Sequence, residues 1–135
     1  ELEQELRNQI QELGMNDNIF LKGFSNHVME EIRNSMMFVL SSDYEGIPNS
    51  MIEALALGIP VISTDCPVGG PAAYIESGVS GILVPVGDEK AMTQAMERIA
   101  SDTAYAEYLA ENGKKIKEKF SLKKIADQFL AEAGI

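Results

Sequence analysis

With a lone cysteine, Cys66, the 135-residue chain can neither close an intrachain disulfide nor build a cysteine-rich metal site. A single unpaired thiol agrees with a reducing compartment. Long apolar runs are missing too: no stretch approaches the ~20 residues of a membrane-crossing helix. The residues from Glu1 to Arg7 are charged and helix-like, unlike a secretory signal. These features predict a cytoplasmic protein. Positive charge is also scarce, with 11 Lys and Arg against 21 Asp and Glu and a formal net charge of −10. So acidic a surface repels nucleic-acid phosphates and anionic lipid, which argues against both as partners. Repeats, low-complexity tracts and linker-like stretches are absent, and the length suits one domain with enough chain to bury a core.

What is present is an alternation of short apolar runs with helical patterns. Leu2, Leu6, Ile10 and Leu13 recur at helical spacing, and Gly14 supplies a stop. Ile19 to Gly23 reads as a short buried strand, Val28 to Ser35 as a helix and Met37 to Ser42 as a second strand. After a turn containing Gly46 and Pro48, Ser50 to Leu57 is helical and Gly58 ends it. Pro60 to Thr64 is a third strand, Pro71 to Ser77 a short helix and Gly81 to Val86 a fourth strand. From Asp88 the pattern is helical, in pieces broken near Asp102 and Ser121.

Short strands, apolar on both faces and separated by helices, predict an α/β fold: a Rossmann-like parallel sheet flanked by helices and joined by right-handed crossovers. Ligands in such sheets sit beyond the carboxyl ends of the strands. Those ends are Gly23, Ser42–Asp43, Thr64–Asp65 and Pro85–Val86, a rim of small and polar residues.

The run from Ser41 to Gly58 holds the candidate chemistry. Glu45 and Gly46 fall at a strand exit, where Gly46 lets backbone approach a ligand with no Cβ in the way. Asn49 or Ser50 is placed to cap the next helix, whose free N–H groups and positive dipole end attract an anion such as a diphosphate. Glu53 lies in the first turn, where a carboxylate can accept two hydroxyl hydrogen bonds from a ribose diol. A structural alternative stands beside this: Ser50-x-x-Glu53 fits a capping box, and Glu45 fits a solvated turn carboxylate. In the turn from Thr64 to Pro71, Pro71 suits the first position of a helix. Gly69 and Gly70 there can aim successive N–H groups at an anion or simply form a tight turn.

Other side chains read as structural. His27 sits at a helix start, Cys66 has no activating neighbour, and Lys114, Lys115, Lys117 and Lys119 wrap around a helix as a solvated surface. Met29, Met36, Met37, Met92 and Met96 read as core filler.

In combination these motifs resemble the donor-site signature of family 4 retaining glycosyltransferases. Glu45 and Glu53 are separated by seven residues, followed by a helix, Gly58-Ile59-Pro60 and a strand ending in Asp65. Glu76 to Pro85 is similar to the family's second Gly-rich turn and last strand, and the resemblance covers roughly residues 13 to 100. It implies the GT-B fold, two Rossmann-like domains with the donor on the C-terminal one, and makes residues 1–135 a single, partial nucleotide-sugar-binding domain. It implies Glu45 as the catalytic residue at the donor sugar and Glu53 at the ribose hydroxyls. Gly46, Ile47, Asn49 and Ser50 would meet the sugar and diphosphate through backbone amides, with Gly23 and Phe24 beside the base. A sugar would pass from a nucleotide-diphosphate sugar, a substrate, to an acceptor with retention. Neither a cofactor nor a bound metal is implied, and Asp43-Tyr44-Glu45 is not an Asp-x-Asp motif.

Two departures stand out. Ile47-Pro48-Asn49 replaces the common Phe-Gly-Leu, which removes one amide donor at Pro48. The family also precedes the first helix with two strands, a Gly-rich turn and a basic pair, and with an acceptor domain; the chain therefore resembles a fragment truncated at its N-terminal strands, not expected to catalyse alone. Those strands lie between the Ile19 and Met37 strands in the family sheet, so open edges predict rearranged pairing or self-association. Two other functions remain open, a non-catalytic Rossmann-like module binding a nucleotide or protein, and a nucleotide-sugar epimerase. The glutamate spacing and the strand ending in Asp65 favour the transferase.

Overall fold

The structure, a computed structural model, describes residues 2–119. Its elements are α1 (Leu2–Glu12), α2 (Val28–Arg33), β1 (Phe38–Leu40), α3 (Asn49–Leu57), β2 (Val61–Thr64), a 3-10 turn (Pro71–Ala73), β3 (Ile82–Val84), α4 (Glu89–Ser101), α5 (Thr103–Gly113) and α6 (Ile116–Lys119). The strands form a parallel sheet in the order β1-β2-β3, with Phe38 opposite Val61 and Ile62 opposite Ile82.

Alternation along β2 builds the core. Val61 faces a cluster with Ile32, Met51, Leu55 and Ile116, brought by α2, α3 and α6. Its neighbour Ile62 faces the other way, onto Val84, Ala95, Ile99 and Leu109 from β3, α4 and α5. Helices thus cover both faces of the central strand, and all four of its residues are buried. This is the expected α/β architecture, a parallel sheet flanked by helices.

Helix ends follow local chemistry. Gly58, at φ 75°, closes α3 in the left-handed conformation, and the N–H of Ile59 reaches back to the carbonyl of Ala54 at 3.0 Å. Asp88 accepts from the N–H of Ala91 at 2.9 Å to start α4, and Asp102 accepts from that of Tyr105 at 2.9 Å to start α5. The second cap sits at the expected helix break and is worth about 1 kcal/mol.

Several expectations are corrected. Ile19 to Gly23 forms no strand: Ile19 and Phe20 are exposed, and no neighbouring strand among the described residues offers a ladder. Only Ile10 of the α1 stripe is buried, because nothing described covers the face of Leu2, Leu6 and Leu13. The helix expected from Pro71 to Ser77 shrinks to one 3-10 turn. Beyond it, the N–H of Glu76 donates to the hydroxyl of Ser80 at 3.0 Å, so a side chain takes the place of the next helical bond. Met29, Met36 and Met96 are exposed, whereas Met37 and Met92 pack against the second cluster. Lys114 and Lys115 form the turn before α6 and bond Glu111 and Asn112 at the surface, as solvated lysines do. The break expected near Ser121 and the side chain of Lys119 lie outside the described residues. Within the described sheet, pairing is regular and parallel; the outer edge of β1 has no partner strand.

Candidate functional site

The carboxyl ends of the three strands are tied together by specific hydrogen bonds. The N–H of Asp65 donates to the carbonyl of Val84 at 2.8 Å, joining β2 to β3. The hydroxyl of Thr64, whose residue is 3% exposed, donates to the carbonyl of Ser42 and so joins β2 to the loop after β1. That loop lies beside the loop after β2, where the N–H of Glu45 donates to the carbonyl of Pro67 at 2.9 Å.

Gly70 completes the contact. A Cβ there would meet the carbonyl oxygens of Gly46 and Glu45, so the turn exists to let two backbones approach. Of the two N–H groups expected to form an anion cradle, that of Gly69 is taken by the carbonyl of Cys66 at 3.0 Å, which favours the tight-turn alternative.

Glu45 is half-buried at this junction, and its Oε1 receives the hydroxyl of Ser42 at 2.7 Å. Oε2 has no hydrogen-bond partner among the described residues. Ser42 and Thr64 were expected on the strand-end rim and Gly70 in the turn beside it, but their contacts with the Glu45 loop were not expected. The three-residue spacing from Ser42 to Glu45 is the one signal that points to their contact.

The start of α3 differs from expectation. Pro48, buried, occupies the cap position, and neither Asn49 nor Ser50 caps with its side chain. The capping-box alternative fails for the same reason: Pro48 moves the helix start one residue upstream, and Glu53 is left exposed on the helix surface. The N–H of Asn49 folds back to the carbonyl of Ile47 at 3.0 Å, and that of Ile52 reaches Pro48. Those of Ser50 and Met51 have no acceptor among the described residues. The exposed Gly46, Ile47 and Asn49 surround these donors. Glu45, Gly46, Ile47, Asn49, Ser50 and Glu53 therefore form one continuous loop and first helical turns.

Gly23 and Phe24 stand apart from that group. Gly23 has φ 64° and Phe24 is 93% exposed, on a segment that no hydrogen bond connects to the Glu45 loop. Lys22 Nζ and Ser25 Oγ instead tie it to Glu31 of α2, at 3.0 and 3.3 Å. Donation by Lys22 holds the Glu31 carboxyl below its ordinary range, helped by the ammonium charge and by Ser25. A cleft of about 780 Å³ opens between this segment, α2 and the outer edge of β1, lined by Lys22, His27, Glu31, Met37 and Phe38. A smaller one, about 180 Å³, lies past the strand ends between Ser41, Asp43, Thr64 and Asp88. Among the described residues no three His, Cys, Asp or Glu side chains gather to hold a metal ion. Nor is any described helix long and apolar enough to cross a membrane.

Residues 1–116 match the family described as Glycosyl transferases group 1. The chain belongs to that family. Its relatives within and around the group include an exopolysaccharide phosphotransferase of Streptomyces coelicolor, 36% identical over 92% of this chain but only 13% of that protein. A lipopolysaccharide core biosynthesis glycosyltransferase of Rhizobium meliloti is 30% identical over 88% of the chain and 35% of its own length. The chain thus spans a small part of these relatives.

Solved structures share the fold. The sucrose-phosphate synthase of Thermosynechococcus elongatus superposes with a TM-score of 0.82 and 30% identity, over 93% of this chain and 32% of that one. The Anabaena protein HepE, in complex with UDP-glucose, gives a TM-score of 0.86 over 97% of this chain and 36% of that one; its 22% identity speaks for the fold alone. The junction at Glu45 combines a carboxylate with one oxygen held and one available with a helix start whose first N–H groups have no acceptor among the described residues.

Proposed function

We propose that residues 1–135 are the donor-binding part of a two-domain, family 4 retaining glycosyltransferase, which moves a sugar from a nucleotide-diphosphate sugar to an acceptor. The observation that carries this reading is the half-buried Glu45, oriented at the strand rim and followed by the unpaired N–H groups of Ser50 and Met51. Glu45 is the catalytic residue at the donor sugar. The amides around Gly46, Ile47, Asn49 and Ser50 meet the sugar and diphosphate, and Pro48 withholds one donor from that set. Glu53, exposed on the next turn, takes the ribose hydroxyls, and Gly23 with Phe24 lies toward the base. The match of residues 1–116 to the group 1 glycosyl transferases supports sugar transfer as the activity. The reading adds no cofactor and no metal.

Two further parts belong to it. The reading includes a cytoplasmic location, with which a lone, buried Cys66 agrees. The open outer edge of β1 supports association through an added strand, including self-association of the isolated chain, which light scattering would detect.

Titrating the chain with UDP- and GDP-sugars tests donor binding. In the full-length protein, Glu45→Gln and Glu53→Gln should each lower sugar transfer. Full activity in both would overturn the assignment. Nucleotide binding without any new glycosidic bond would instead favour a binding module.

A further inference from the structure

We propose that Ser42 is a positioning residue for Glu45, governing sugar transfer by orienting the carboxylate without touching the donor. The inference rests on Glu45 meeting the donor sugar. The hydroxyl of Ser42 donates to Oε1 at 2.7 Å, the short range of a hydroxyl bonded to a carboxylate. Ser42 is itself fixed: its carbonyl accepts the hydroxyl of Thr64, from the fully buried strand β2. The backbone of Glu45 is held separately, through its N–H on Pro67.

Glu45 is thereby gripped at two points, by the β2 loop at its amide and by the β1 loop at one carboxylate oxygen. Oε2 is left with no partner among the described residues. A glutamate without the Ser42 bond can turn about its side-chain bonds and lose that aim. A misplaced group costs most in the transition state, where geometry is strictest. The loss should therefore fall on kcat.

The test uses the full-length protein in four versions, wild type, Ser42→Ala, Ser42→Thr and Glu45→Gln, each assayed for kcat, donor KM and melting temperature. Loss of a hydrogen bond to a charged group predicts that Ser42→Ala lowers kcat about 10- to 100-fold, with donor KM within about 3-fold. Melting should fall only slightly, by the lost bond itself, and Ser42→Thr, which keeps the hydroxyl, should restore kcat. Wild-type kcat in Ser42→Ala overturns the proposal, as does a Ser42→Thr protein as slow as Ser42→Ala. So does a loss confined to KM. If Ser42→Ala does not fold, Ser42→Thr against Ser42→Val makes the same comparison at constant shape. Unimpaired Glu45→Gln would instead remove the role of Glu45 itself, a different failure.

Discussion

Gly70 lies so close to Gly46 that a Cβ at position 70 would stand 2.2 Å from the Gly46 carbonyl oxygen, and 2.6 Å from that of Glu45. The backbone of Gly70, at φ −53° and ψ −56°, is open to any residue. Its requirement is therefore space, and the atoms in the way are backbone, which cannot swing aside as a side chain does. Gly70→Ala should cost about 1–3 kcal/mol, as overpacking does, and should push the Glu45 loop off position. Gly46→Ala meets nothing within 4 Å, and should stay within about 0.5 kcal/mol. Denaturant midpoints check both values. Equal midpoints for the two variants would mean the loops are not in contact.

Methionine separates core from surface as sharply. Met51 is 0% exposed and joins α3, the helix that also carries Glu53, to the core around Val61, whereas Met36 is 66% exposed. Met51→Ala should lose about 2–5 kcal/mol of stability, while Met36→Ala should change it by no more than about 0.5 kcal/mol. Thermal melts of the two proteins decide the matter, and similar losses would contradict the packing of α3 on the sheet.

Features governed by neighbours in sequence were legible before the structure. Gly58 stops α3 because its own conformation permits the left-handed turn, and Asp102 breaks the late helices because its side chain caps the next one. Alternation of apolar runs with helical spacing likewise gives the parallel sheet. Features that depend on what lies alongside were not legible. Ile19 to Gly23 has strand-forming residues, yet a parallel strand exists only beside another, and none described stands there. Met36 and Met51 are the same residue in similar patterns, and only tertiary covering distinguishes them. Spacing singled out Glu45 and Glu53 as candidates, but not the contacts around Glu45. Gly70 and Glu45 are 25 positions apart in the chain, and Thr64 reaches Ser42 across 22. Pro48 is the instructive miss: Ser50 and Glu53 fit a capping box, and a buried proline two residues earlier took the cap position.

The segment carrying Gly23 and Phe24 is held by a tie that pH can release. Lys22 donates to Glu31 at 3.0 Å, and this bond, foremost among the causes, holds the Glu31 carboxyl below its ordinary value of 4.5. A carboxylate whose folded pKa is depressed contributes stability above its unfolded value and loses it as pH falls through the folded one. The tie is therefore complete at neutral pH and lost progressively as pH falls below the ordinary value of 4.5 and through the lower folded one. Both partners are largely exposed, so the effect is small and salt-sensitive. Amide NMR shifts between Leu21 and His27 should titrate with a midpoint below that of a free glutamate. Lys22→Ala should raise that midpoint toward the ordinary value, and Glu31→Gln should abolish the titration. A midpoint unchanged in Lys22→Ala would show that this lysine does not hold the segment to α2.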